Sequence, residues 1–242
     1  MKESFFRTGM LLGESAEAVL AHSKVIVFGV GGVGGHCIDA LARCGVGNLI
    51  AVDSASVKAS NLNRQICAKK STIGMRKVDV MQMHVHDVSD CSFTGICEFV
   101  TAENASRFIP DDSDIVIDAV DNVTAKLAII EHSKKVGIPV LSSMGAGNRL
   151  DPTAIRIADI YSTSIDPLSR VMRRELRSRK VAGLTVVYSV ETPHMPVMPT
   201  PDPDMKANAP ASVPFVPGAF GLALASKAIE ILLNSMENTH DY

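Results

Sequence analysis

From Lys24 onward the chain alternates between two kinds of pattern. Short unbroken apolar runs, KVIVFGV (24–30), NLIAVD (48–53), DIVIDAV (114–120) and IPVLSS (138–143), read as strands buried on both faces, which need no polar side. Between them apolar positions recur at helical spacing over 33–45, 74–89 and 123–136, with Ile38, Leu41 and Ala42 inward on the first of these. A strand near 96–100 keeps the alternation, and an amphipathic helix over 13–22 precedes it. Strands alternating with helices predict an α/β fold, a doubly wound, mainly parallel sheet with helices on both faces.

Beyond Asp151 the rhythm changes to a strand at 154–158, a helix at 167–180, a strand at 184–189 and a closing helix at 218–234. These are expected to be a C-terminal extension of the same sheet, so that residues 1–242 form a single domain. At that length about three quarters of the unfolded surface can be buried. Residues 193–217 hold eight of the twelve prolines and can form neither helix nor central strand. They are expected to cross over the molecule, either as an ordinary loop or as an arm that touches substrate.

Composition excludes more than it assigns. A formal charge of −2 and 21% charged residues give no global sign of a polyanionic partner. The start, MKESFFRTGM, lacks a secretion-signal pattern, and no apolar run approaches the length of a membrane span, so a cytoplasmic protein with no membrane partner is expected. The five cysteines, 37, 44, 67, 91 and 97, contain no Cys-x-x-Cys pair for zinc or thiol redox work and read as reduced, mostly buried thiols.

The chemistry begins in GVGGVGGH (29–36), directly after the first strand. Gly29 permits a tight turn, Gly31 lets backbone approach phosphate, Gly34 packs helix on strand, and Gly32 belongs to the same loop. Asp53, 19 residues past Gly34, suits a ribose hydroxyl. This Rossmann-like fingerprint serves NAD, FAD or ATP equally. The residues downstream of it favour a triphosphate: Arg64 can fork onto phosphate oxygens, Lys77 adds a point charge, and Asn61, Asn63 and Gln65 can hold ribose, phosphate or the guanidinium. In DAVDN, Asp121 is placed to bind magnesium, and Asn122 to touch ligand or cap the next helix. Asp118 is expected to bond backbone at the strand end.

With its glycine loop, Asn-x-Asn-Arg-Gln, downstream lysine and Asp-x-x-Asp-Asn, the chain resembles the ubiquitin-activating-like adenylation superfamily. That resemblance implies that Arg64 and Lys77 grip ATP with Mg2+ at Asp121 while a substrate carboxylate attacks the α-phosphorus. Arg7 resembles an N-terminal arginine that reaches a nucleotide site, within its own chain or, as often in bacterial homodimers, across the interface; otherwise it is a solvated terminal residue. Members that activate carrier proteins generally carry Cys-x-x-Cys pairs, and thioester-forming members carry a crossover cysteine. This chain has neither, since residues 98–242 contain no cysteine.

The stretches GAGNRLDPTAIRIADIYSTSIDPLSRVMRRELR, VVYS and SVPFVPGAFGL resemble the bacterial tRNA threonylcarbamoyladenosine dehydratases. The resemblance implies ATP-dependent activation of the threonine carboxylate on tRNA bearing threonylcarbamoyladenosine, then dehydrative closure to a hydantoin. A cysteine desulfurase or sulfur acceptor remains a candidate partner. The alternatives are adenylation of a small carrier protein's C-terminus and a nucleotide-binding adaptor without chemistry. On the helix at 167–180, Arg170, Arg173, Arg174, Arg177 and Lys180 gather opposite Leu168, Val171, Met172 and Leu176, a local basic face suited to tRNA phosphates.

Overall fold

A computed structural model describes residues 3–197 and 210–237. Its centre is one seven-stranded sheet: β1 Lys24–Phe28, β2 Asn48–Val52, β3 Ser92–Ile96, β4 Ile115–Asp118, β5 Val140–Ser143, β6 Ile155–Asp159 and β7 Thr185–Ser189. The spatial order is β3-β2-β1-β4-β5-β7-β6. Every neighbouring pair is parallel except β6 and β7, which run antiparallel with Ile157 opposite Val187. From β1 the chain winds outward through β2 and β3, then returns to β4 on the other side of β1. The reversal opens a crevice at the carboxyl ends of β1 and β4, where ligands bind in doubly wound sheets.

Alternation along the strands divides the core. Val25 and Val27 of β1, with Ile115 and Ile117 of β4, face one layer; Ile26, Phe28 and Val116 face the other. Helices α3 Gly34–Cys44, α4 Lys77–Val88 and α7 Phe215–Glu237 contribute Ile38, Leu41, Val78, Met81, Phe220 and Leu224 to the first layer. Helices α5 Val123–Val136 and α6 Pro167–Ser178 contribute Ile129, Ile130, Met172 and Leu176 to the second. Local chemistry ends these helices where the sequence allows it: Gly45 (φ 96°) and Gly137 (φ 79°) close α3 and α5 in the left-handed conformation.

The elements differ from those expected in three places. The third strand is Ser92–Ile96 rather than 96–100; as an edge strand it pairs only with β2 and alternates exposed and buried, so it shows no continuous apolar run. The N-terminal region is two helices, α1 Phe6–Leu12 and α2 Glu14–His22, separated by Gly13 at φ 88°. Helix α7 begins three residues before 218, with Pro217 in its first turn, where the missing N–H costs no helix bond. Residues 215–235 of α7 are also long and apolar enough to cross a membrane. Here Val216, Phe220, Leu224, Ala228 and Leu232 are spent on the core. The expected crossover at 193–217 falls partly on residues 198–209, outside the described residues.

Candidate active site

The crevice holds a cleft of about 410 Å³, within the range of small-molecule sites. Its floor is the glycine loop after β1. Gly29 has φ 93°, and a Cβ there would lie 2.7 Å from the carbonyl oxygen of Ala119, so the first turn of the loop and the end of β4 touch through bare backbone. Gly31 faces open space, whereas Gly34 lies directly against the carbonyl of Gly29 and packs helix to strand. Gly29, Gly31, Gly32, Asp53, Arg64, Gln65, Lys77, Asp121 and Asn122 all line this cleft.

Asp53 follows β2 and ties the loop to the sheet. One oxygen accepts the Val30 N–H at 2.7 Å and the other the Ala55 N–H at 2.7 Å. A carboxylate has about four acceptor positions, so capacity for a ribose hydroxyl remains. Lys77 opens α4, is 8% exposed, and sits with Nζ 3.8 Å from Asp53. That distance is long for a hydrogen-bonded pair and leaves its protons to other acceptors.

The three amides around Arg64 have three different fates. Asn61 is a local cap whose side-chain oxygen accepts the Lys58 N–H at 3.0 Å, and it does not line the cleft. Asn63 also lies outside the lining: it accepts from Arg64 Nη1 at 2.7 Å and donates to the Ser212 carbonyl at 2.9 Å. Gln65 is buried at the cleft wall with Oε1 unpaired among the described residues. A buried orphan acceptor costs roughly 1–3 kcal/mol, and a bound donor would remove that cost. Partial burial lowers the Arg64 pKa by desolvation, without approaching neutrality. Both of its hydrogen bonds, to Asn63 and Ser60, use Nη1, so among the described residues Nε and Nη2 remain for a phosphate.

After β4, Asp121 is exposed at the cleft and has no hydrogen bond or ion pair among the described residues. One free carboxylate beside a phosphate site is the donor set magnesium uses with a nucleotide. Asn122 both lines the cleft and caps α5, accepting the Ala125 N–H at 3.0 Å. Asp118 lies beneath, fully buried, bonded to Lys126 Nζ at 2.8 Å and Ser142 Oγ at 2.6 Å as well as to the Val120 N–H. It is a closed structural cluster, richer than the backbone bond expected.

Arg7 is exposed on α1 and absent from the cleft. Its neighbour Phe5 packs on Gly45, beyond the far end of α3 from the glycine loop. Cys67 is 1% exposed, and burial raises its thiol pKa despite the nearby Lys77, so it reads as packing. Burial likewise pushes Cys91 up to about 11, and all five cysteines are free thiols.

On α6 the apolar side packs as expected, but the basic face is partly engaged. Arg173 donates to the Thr163 carbonyl at 2.9 Å, Arg174 pairs with Glu175 at 2.9 Å, and Arg177 lies 5.2 Å from the Tyr161 ring centroid. Arg170 and Lys180 are exposed, with Lys180 in a left-handed turn at φ 56°.

No periodicity or motif spacing marks several of the wall residues as part of a cleft. Glu98, Phe99 and Val100 lie just past β3, and Ala146, Gly147, Pro210, Ser212 and Pro217 close the opposite side. The proline cluster marks the crossover but not the place where it returns. Another unread feature is Arg149, 2% exposed, which donates to the Gly145 carbonyl at 3.1 Å and to Asp166 at 2.8 Å and anchors the loop after β5 to the start of α6.

Residues 7–242 match the ThiF family. The chain is 36% identical to the tRNA threonylcarbamoyladenosine dehydratase of Bacillus subtilis over 98% of its own length and 97% of that protein. Crystal structures of the Escherichia coli tRNA N6-threonylcarbamoyladenosine dehydratase in complex with AMP and with ATP match it with TM-scores of 0.89 and 0.88, at 30% identity, covering 98% of this chain and 96% of theirs. Likeness of sequence and fold along nearly the whole length places the chain in the ThiF family and, within it, among the tRNA threonylcarbamoyladenosine dehydratases.

Proposed function

We propose that this chain uses ATP to activate the threonine carboxylate of threonylcarbamoyladenosine on tRNA and closes it to the cyclic hydantoin form with net loss of water. The observation that carries the reading is the cleft itself, where a glycine loop, two cations with unspent donors, an orphan amide oxygen and a free carboxylate converge at the sheet's switch point. Glycine-loop N–H groups and Arg64 hold the phosphates, Lys77 neutralises charge as pyrophosphate departs, and Asp53 takes the ribose. Asp121 would hold magnesium, which supplies further neutralisation of the phosphates.

The substrate carboxylate is ionised at neutral pH and needs no general base. Its oxygen attacks the α-phosphorus, the bond to pyrophosphate breaks, and an acyl adenylate forms. The ureido nitrogen of the same substrate then attacks the acyl carbon, loses its proton and expels AMP. Because nucleophile and electrophile share one molecule, no cysteine relay is required. Cys67, buried beneath the loop, supports that reading.

The position of α1 supports a homodimer. The eleven residues of α3 span about 16 Å and separate Phe5 from the glycine loop, so Arg7 would serve a nucleotide held by a second copy. The reading is tested by pyrophosphate release. Purified protein with magnesium and ATP is expected to release it when given tRNA bearing threonylcarbamoyladenosine, and to stay silent with unmodified tRNA. Equal release with both would remove the carboxylate from the mechanism.

A further inference from the structure

The crossover returns to the cleft at residues 210–213 and is pinned there from two directions. Asn148, in a left-handed conformation at φ 60°, makes a reciprocal pair with Ala211: its N–H donates to the Ala211 carbonyl at 2.8 Å and its side-chain oxygen accepts the Ala211 N–H at 2.7 Å. The fit leaves no slack, because a Cβ on Gly147 would lie 2.6 Å from the Cβ of Pro210. The third pin comes from the nucleotide side. Asn63 donates to the Ser212 carbonyl at 2.9 Å while its oxygen accepts from Arg64 at 2.7 Å.

We infer that Asn63 is a positioning residue that couples the triphosphate grip to the substrate-side wall: one carboxamide holds the Arg64 guanidinium with its oxygen and the returning crossover with its nitrogen. The inference rests on the ATP reading and extends it. A carboxamide is planar and rigid, so turning its oxygen to follow Arg64 turns its N–H relative to Ser212. Triphosphate drawn onto the free Nε and Nη2 of Arg64 fixes that orientation and seats the wall. Linkage makes the effect reciprocal, since a seated wall raises affinity for the nucleotide by the factor with which the nucleotide seats the wall. Asn61 and Gln65 cannot substitute, one being committed to the Lys58 N–H and the other facing the cleft.

The test is backbone hydrogen exchange at 211–213 with and without magnesium and α,β-methylene ATP, which cannot release pyrophosphate. Wild-type protein should show exchange there slowed about tenfold by the analogue, within the usual span of couplings between sites. Asn63→Ala, at an exposed position, should fold and bind the analogue at saturating concentration yet show no analogue-dependent slowing. Asn148→Gly keeps the left-handed turn and the backbone bond to the Ala211 carbonyl, and removes only the side-chain acceptor of the Ala211 N–H. It should raise exchange in the free protein while preserving the response to the analogue. An undiminished response in Asn63→Ala, or none in wild type with analogue bound, overturns the coupling and leaves the ATP reading intact. Failure of wild type to bind the analogue sinks the ATP reading, and the coupling with it.

Discussion

Two acidic residues at the carboxyl ends of neighbouring regions of the sheet each face a lysine, and they behave oppositely. Asp118 and Lys126 are both fully buried, 2.8 Å apart, with Ser142 completing the cluster. The side chains of Asp53 and Lys77 are 13% and 10% exposed, 3.8 Å apart, at the wall of a cleft that also holds a Gln65 oxygen unpaired among the described residues. In the first pair the lysine is hydrogen-bonded to its carboxylate away from solvent, whereas Lys77 makes no such bond to Asp53 and keeps its protons for other acceptors. Charge and spacing do not separate structure from function here; satisfaction does.

The largest break in that contrast is Lys126→Ala. Removing one partner of a buried ion pair strands the other charge and costs roughly 3–5 kcal/mol, so denaturant unfolding should show a loss of that order. Chemistry should fail only through loss of folded protein. Lys77→Ala and Arg64→Ala should do the reverse. Each should lower ATP-dependent pyrophosphate formation about 10²–10³-fold, as loss of a donor to developing charge does, while the midpoint of unfolding shifts little. If Lys77→Ala unfolded the protein as severely as Lys126→Ala, the two pairs would be of one kind.

A smaller effect is expected at α6. Reversing Arg170, Arg174 and Arg177 to glutamate leaves the Arg173 bond to Thr163 in place. It should weaken tRNA binding and reduce the slope of log affinity against log salt by roughly 0.7–0.9 for each phosphate that is no longer neutralised. ATP binding should not change. An unchanged salt slope would return the helix to a purely structural role.

How much was legible in the sequence divides along the same line. Strands β1, β2, β4 and β5 announced themselves because strands buried on both faces need unbroken apolar runs. Strand β3 did not, since an edge strand half open to solvent has no such run. The glycine loop, Arg64, Lys77 and Asp121 were readable because short local motifs carry them, after β1, between β2 and α4, at the start of α4 and after β4. The distinct roles of Asn61, Asn63 and Gln65 were not, since three amides within five residues differ only in what lies opposite them. The wall built from 98–100 and 210–217 depends on long-range packing, which leaves no periodicity. The basic face of α6 was visible on the helical wheel, but not its ties to Thr163, Glu175 and Tyr161.

The most direct test is the mass of the modified nucleoside after tRNA bearing threonylcarbamoyladenosine has been incubated with purified protein, magnesium and ATP, then digested under mild conditions. The account predicts conversion to a product lighter by one water, with one AMP and one pyrophosphate formed per base converted, and no conversion when ATP is replaced by its α,β-methylene analogue. An unchanged nucleoside after ATP has been consumed, or loss of water without ATP, would contradict it.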